Sequence, residues 1–315
     1  MYAIGIDMGG TNLKSALIHK HNGIIQQYST PTNAEAGLEA TLDLIARTVK
    51  ERMEESPEKP FGIGIGAPGM ISLDRKTVSN PPNLPGWDVV HLAEEIQQRT
   101  GLPCLLENDA NLMALGSARF GSGAPYKHFI MITLGTGVGG GIIYNNVLFR
   151  GATGSAGELG HVIIDYNGPS SNSSAKGGVE AYLGQRFLSR RAADEIKKHP
   201  DNELYTRFRD NFDALEPVDL TLAAEAGNQL AVDILSDAGR MLGYALVNYI
   251  HTLDIRKIVV SGGVAKSGKW ILDPAREAAL SRLMGPFHAD FEIIPEKLGN
   301  ESALLGAGVL ALENL

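Results

Sequence analysis

A chain of 315 residues has room for two domains of ordinary size, and at that length it can bury about three quarters of its unfolded surface without cross-links. The 43% hydrophobic and 20% charged residues describe a globular chain, and 28 Lys and Arg against 36 Asp and Glu leave a net charge of −8. No basic cluster, no apolar run near the length of a membrane span and no basic–apolar leader is present, so neither a nucleic-acid nor a membrane partner is expected. The single cysteine, Cys104, allows no internal disulfide and suits a reducing, cytoplasmic setting. The 37 glycines exceed the ordinary share of about 7% and gather after apolar runs, which excludes a collagen-like repeat.

In chain order, Tyr2 to Ile6 and Ser15 to Ile18 are apolar segments on either side of Asp7-Met8-Gly9-Gly10-Thr11-Asn12, a strand–turn–strand unit. Leu38, Thr41, Leu42, Ile45, Val49 and Met53 recur at helical spacing, and that helix is predicted to end in the loop around Pro57 and Pro60. Phe61 to Gly66 predicts a buried strand, Asn80 to Trp87 a loop and Val90 to Arg99 a helix. Cys104 to Leu106 predicts a short strand, which runs through Glu107-Asn108-Asp109-Ala110-Asn111 into a helix containing Leu112, Leu115 and Phe120.

The opening pattern then recurs. Phe129 to Leu134 predicts a strand, followed by the turn Gly135-Thr136-Gly137-Val138-Gly139-Gly140-Gly141 and a strand over Ile142, Ile143 and Tyr144. At an offset of 126 residues, Gly135 falls on Gly9 and Thr133 on Asp7, so two halves are built alike. The region from about Glu180 to Thr252 reads as mostly helical, and Ile258 to Ser261 is a third strand with a glycine turn, Gly262-Gly263-Val264. Ser302 to Glu313 predicts a final Ala- and Leu-rich helix, with Gly306 and Gly308 where it must pack closely. The repeat suggests a smaller N-terminal α/β domain over residues 1–117 plus 301–315 and a larger C-terminal α/β domain over 118–300.

Glycine turns after strands let backbone N–H groups approach an anion closely, which suits phosphate oxygens. Threonine hydroxyls add donors, and Asp7 could hold a magnesium ion through water. Each turn alone is also an ordinary hairpin turn; two in register, one carrying an acid, favour a nucleotide held between two domains. Asp109, where a strand meets a helix, is either a reactive carboxylate or a helix N-cap. Asn108 beside it either hydrogen-bonds a polar substrate or shapes the turn. Gly157-Glu158-Leu159-Gly160-His161 places an acid and an imidazole three residues apart among glycines, and each is alternatively a solvated surface group.

Together these motifs resemble the ROK family (repressors, uncharacterised reading frames and sugar kinases) of the actin-like ATPase superfamily. Asp7 to Thr11 is similar to its first phosphate motif, Leu134 to Gly141 to its second and Ser261-Gly262-Gly263-Val264 to its adenosine motif. The resemblance covers essentially the whole chain and implies a two-domain α/β actin-like ATPase (ribonuclease H-like) fold with an active-site cleft between the domains. It implies ATP-dependent phosphorylation of a hexose at its 6-hydroxyl, glucose first, with Asp109 as general base. Asn83, Asn108, Asp109, Glu158, His161 and Glu180 would contact the sugar. Asp7, Gly9, Gly10, Thr11, Thr136, Gly137, Gly262 and Gly263 would bind ATP with Mg²⁺, and a homodimer or homotetramer is expected.

Rival sugars are N-acetylmannosamine, N-acetylglucosamine, fructose and allose. A sugar-sensing regulator without a DNA-binding domain is the reading from another class, because the first phosphate motif begins at residue 7 and leaves no room for a helix-turn-helix domain ahead of it. A catalytically dead sugar-binding protein is the third, opposed by the retained Asp7 and Asp109. One departure stands out. Most family members bind zinc through the motif histidine and three cysteines, and here Ser171, Ser173 and Gly178 stand in the cysteine positions. Neutral hydroxyls and a glycine do not replace thiolates, so no structural zinc is expected, and what orients His161 is left open.

Overall fold

The computed structural model describes residues 1–81, 84, 86–172, 176–299 and 301–315, without the side chain of Ala34. Three strands, β1 (Tyr2–Met8), β2 (Asn12–His19) and β3 (Gly23–Pro31), precede α1 (Leu38–Glu55) and β4 (Ile63–Ala67). The short strands β5 (Met70–Ile71), β6 (Val78–Ser79) and β7 (Val89–Val90) form a separate small sheet before α2 (Leu92–Thr100), β8 (Cys104–Asn108) and α3 (Asp109–Phe120). The pattern restarts with β9 (Phe129–Leu134), β10 (Val138–Tyr144) and β11 (Val147–Leu148). Helices α4 (Glu180–Leu183), α5 (Gln185–Ile196), α6 (Glu203–Phe208), α7 (Pro217–Glu225) and α8 (Gln229–Leu253) follow. The chain closes with β12 (Lys257–Ser261), α9 (Lys269–Leu280), β13 (Glu292–Pro295) and α10 (Glu301–Asn314). Among the described residues no helix is long and apolar enough to cross a membrane.

The chain divides into two compact units. The first comprises Met1–Lys127, Gly141–Gly157 and Lys297–Leu315; the second comprises His128–Gly140 and Glu158–Glu296. Residue 117, expected as a boundary, lies inside α3, and Gly141–Gly157 belong to the first unit rather than the second. The reason is local: the position of a Cβ on Gly141 lies 2.7 Å from Ala114 Cβ and 3.3 Å from the Ala110 carbonyl, so this backbone packs directly on α3.

In the first unit the sheet order is β3-β2-β1-β4-β8. β1, β2 and β3 pair antiparallel, whereas β4 runs parallel to both β1 and β8. The two-residue alternation of a strand sorts its faces. Ile4, Ile6, Ile63, Ile65 and Leu106 join Leu42, Ile45 and Val49 of α1 and Leu92 and Ile96 of α2 in one core. On the opposite face Ala16 and Ile18 pack with Leu304 and Leu305 of α10, and glycines of β1 and β4 let that helix lie directly on the sheet. A Cβ on Gly5 would stand 2.6 Å from the Leu304 carbonyl oxygen, and one on Gly64 only 1.9 Å from that of Ala307. α10 crosses α3 just as closely, at Gly306 and Gly116.

In the second unit β10-β9-β12-β13 form the sheet, with β9, β12 and β13 parallel. Past Gly140 the chain leaves this unit, and the far end of β10 pairs antiparallel with β11, Ile143 opposite Leu148. The full order β11-β10-β9-β12-β13 repeats that of the first sheet strand for strand, so the internal repeat extends to topology. Two predicted boundaries shift: β4 begins at Ile63, leaving Phe61 exposed, and α2 begins at Leu92, with Val90 in β7.

Candidate active site

Parallel strands gather their C-terminal ends on one edge, the usual ligand edge of an α/β sheet. In the first unit Asp7 of β1, Gly66 of β4 and Glu107 of β8 are level in register, so the first glycine turn and the Asn108-Asp109 loop leave the same edge. The turn is braced by Gly9 N–H donating to the Asn12 carbonyl at 3.0 Å and by the Thr32 hydroxyl donating to the Gly9 carbonyl at 2.7 Å. Gly10 and Thr11 beside them are exposed. Burial pushes the Asp7 carboxyl above the ordinary aspartate value, and Lys14, opposite it in the hairpin with Nζ 3.6 Å from Oδ2, pulls it back in part. Lys14 was not among the expected site residues. Its signal was the hairpin arithmetic, which puts residue 14 across from residue 7.

Asn108, not Asp109, caps α3. Its Oδ1 accepts from the N–H groups of Ala110 at 3.0 Å and Asn111 at 3.3 Å, which directs its amide nitrogen to any substrate oxygen it meets. Asp109 is the exposed first residue of the helix, with Oδ1 accepting from Ala110 N–H at 2.8 Å. The cap reading of Asp109 is therefore corrected in favour of its neighbour. Beneath them Glu107 is fully buried. Its Oε1 accepts from Asn108 N–H at 3.0 Å and Asn111 Nδ2 at 3.1 Å. Its Oε2 lies 3.2 Å from Arg75 Nε and 2.7 Å from Arg150 Nε, the latter an ion contact rather than an aligned hydrogen bond. Arg150 is held by donating to the carbonyls of Leu73 at 2.6 Å and Ser72 at 3.0 Å. Two guanidiniums thus neutralise the one buried carboxylate under the Asn108-Asp109 loop. Neither arginine was foreseen, since their pairing depends on the fold.

In the second unit Ser261 is level with Thr133, so the turn over residues 135–137 and the turn Gly262-Gly263 leave neighbouring parallel strands. Gly262 has φ +102, and a Cβ there would stand 2.2 Å from the Leu134 carbonyl oxygen, so only glycine fits. Thr136 and Gly263 are exposed. Glu180, expected at the sugar, is buried as the first residue of α4, and its Oε2 accepts from Val138 N–H at 3.1 Å. The Gly160-His161 turn is anchored by the buried Tyr249 hydroxyl, which donates to the Leu159 carbonyl at 2.6 Å. His161 and Glu158 are both exposed, with Nε2 and Oε2 3.6 Å apart.

Asn83 and Ser173 lie outside the described residues. Gly178 bridges Ile163 as backbone, and Ser171 offers only a neutral hydroxyl, a donor set that does not fit zinc. Among the described residues no group of three His, Cys, Asp or Glu could hold a metal ion. Hydrogen bonds lace the same segment instead: Ile164 N–H donates to the Gly177 carbonyl at 2.9 Å, and Tyr182 hydroxyl to Asp165 Oδ2 at 2.8 Å. Burial and that carboxylate push the Tyr182 phenol up to about 12. The candidates therefore divide in two. Asp7, Gly9, Gly10, Thr11, Asn108 and Asp109 lie in the first unit; Thr136, Gly137, Glu158, His161, Glu180, Gly262 and Gly263 lie in the second.

The sequence matches the ROK family over residues 3–314. A glucokinase of Thermotoga maritima is 32% identical over 312 residues, spanning 99% of this chain and 98% of that one. A ROK family glucokinase of Streptomyces griseus, solved in complex with glucose and AMPPNP, has a TM-score of 0.83 and 32% identity, with 100% of both chains covered. A xylose repressor of Bacillus subtilis is 27% identical over 316 residues, 99% of this chain and 77% of the repressor. With the family match running from the first strand to the last helix and the sheets duplicated strand for strand, the chain belongs to the ROK family and has its actin-like ATPase fold.

Proposed function

We propose that this chain is an ATP-dependent hexose kinase that phosphorylates glucose at its 6-hydroxyl, with Asp109 as the general base. The observation that carries this reading is Asp109 itself. Its carboxylate is exposed at the C-terminal edge of the first sheet, the capping of α3 falls to Asn108, and Asp7 stands on the same edge. The similarity to glucokinases along the whole chain supports glucose as the first sugar to test.

Phosphoryl transfer asks for positioning and charge stabilisation more than for covalent chemistry by the protein. The sugar hydroxyl gives its proton to Asp109 as its oxygen attacks the γ-phosphorus of ATP, and ADP leaves. Asn108, Glu158, His161, Glu180 and, outside the described residues, Asn83 orient the sugar in this proposal. Backbone N–H groups and hydroxyls of residues 10–11 and 136–137 receive the phosphates, with Gly9 closing the first turn and adenosine at Gly262 and Gly263. Magnesium, when bound, supplies positive charge to the phosphate oxygens. Asp7, a half-buried hard oxygen donor, is the residue that fits it, through water.

A coupled assay of ADP release over a sugar panel tests this reading. Glucose is expected to support the fastest turnover, ahead of N-acetylmannosamine, N-acetylglucosamine, fructose and allose. Turnover with one of these and none with glucose would reassign the sugar. Absence of ADP release with every sugar of the panel would favour a sugar-sensing regulator. A homodimer or homotetramer is part of the proposal, and light scattering of the purified chain decides it.

A further inference from the structure

The second glycine turn is built onto the segments that carry the sugar motifs. Val138 is the residue at which that turn becomes β10, and both of its backbone polar groups meet those motifs. Its N–H donates to Glu180 Oε2 at 3.1 Å, and its carbonyl oxygen lies where Gly160 has no side chain, 2.0 Å from the position of a Cβ there. The turn residues are held from the same side. Gln185 N–H, just past α4, donates to the Gly135 carbonyl at 2.8 Å, and a Cβ on Gly137 would stand 2.3 Å from Glu180 Oε2. Glu180 is 7% exposed, so this bond to a charged acceptor is shielded from water.

We infer that Glu180 is a positioning residue for the turn over residues 135–137, so that one carboxylate sets the affinity for both nucleotide and sugar. The inference rests on the hexose-kinase reading of the preceding section. With Oε2 committed to Val138 N–H, Oε1 is the oxygen that a sugar hydroxyl would use. A shift of the carboxylate on either side is then felt on the other, and by linkage the coupling is reciprocal.

The test measures each ligand alone by calorimetry on the full chain: AMPPNP with magnesium in the absence of sugar, and glucose in the absence of nucleotide. Glu180→Leu removes the acceptor and is expected to weaken AMPPNP binding about tenfold, the usual loss for a hydrogen bond to a charged group. Glu180→Gln keeps an oxygen for Val138 N–H, so AMPPNP affinity should stay within about threefold while glucose affinity falls. Gly137→Ala approaches from the turn. Its new methyl group displaces a side-chain carboxylate rather than backbone, so the chain should fold and glucose binding should weaken although no sugar-contacting residue has been substituted. Melting curves confirm folding of each variant. Wild-type AMPPNP affinity in Glu180→Leu, or wild-type glucose affinity in Gly137→Ala, would overturn the inference and leave Glu180 a sugar contact only. Failure of the wild-type chain to bind AMPPNP would overturn the kinase reading, and this inference with it.

Discussion

At the scale of single residues, two aspartates on one sheet edge have opposite characters. Asp109 is exposed, and the capping of α3 falls to Asn108. Asp109→Asn should leave glucose affinity within a few-fold and lower kcat by roughly 10²–10⁴, the range for a lost general base. Steady-state kinetics beside calorimetry checks it, and near-normal turnover would remove Asp109 from the chemistry. Asp7 is half-buried, with its pKa raised above the ordinary 3.8. The folded chain therefore holds this proton more tightly than the unfolded chain, and stability falls as pH rises from about 3.8 through the raised value, with the full penalty standing above it. Asp7→Asn should melt higher than wild type at pH 7, with the gap narrowing as pH is lowered, while turnover with magnesium-ATP drops. Melting curves between pH 4 and 7 that coincide for the two proteins would contradict this.

At the scale of elements, the first sheet shows what part of the glycine surplus is for. Gly5 and Gly64 face α10 with backbone against backbone, and α10 meets α3 at Gly306 and Gly116. At Gly64, Gly116 and Gly306 no side chain can yield, because the nearest neighbours are backbone carbonyl oxygens. Gly64→Ala should destabilise the fold by roughly 1–3 kcal/mol or more through overpacking, even though it adds a single methyl group to a strand. Denaturant unfolding measures this, and an unchanged midpoint would mean that α10 can move away at little cost. β8 and α3 show a second element-scale device. Glu107, between two guanidiniums and two amide donors, ties the loop bearing Asn108 and Asp109 to the segment around Arg75 and to Arg150.

At the scale of the whole molecule, the family resemblance and the donor set disagree about metal. His161 keeps its place, but Ser171 and Gly178 offer nothing that binds zinc. We expect folding and turnover to be independent of zinc. Purified protein should contain substoichiometric zinc, and a zinc-selective chelator in excess magnesium should change neither melting temperature nor kcat. One zinc per chain, or activity abolished by the chelator, would overturn that expectation. Hydrogen bonds from Tyr182 to Asp165 and from Ile164 and Asp165 to the Gly177 carbonyl are what hold this segment in the structure.

Much of this protein was legible in its sequence because its recognition devices are local. A glycine turn after a strand, an acid at the strand end and a Glu-Asn-Asp loop before a helix each depend on a few consecutive residues. The recurrence at 126 residues announced that the sheets would match, and they do, strand for strand. The final helix and its close-packing glycines were readable for the same reason. What only the tertiary structure decided are pairings between distant positions. Asn108 rather than Asp109 is the cap because the backbone enters α3 extended at residue 108. Arg75 and Arg150 serve Glu107 because a carboxylate buried by the sheet needs positive charge from whatever segments pass it. Glu180 reaches Val138 across 42 residues of chain. Gly141–Gly157 join the first unit because β10 carries the chain out of the second, and hydrophobic periodicity specifies which face of a strand is buried but not which body buries it.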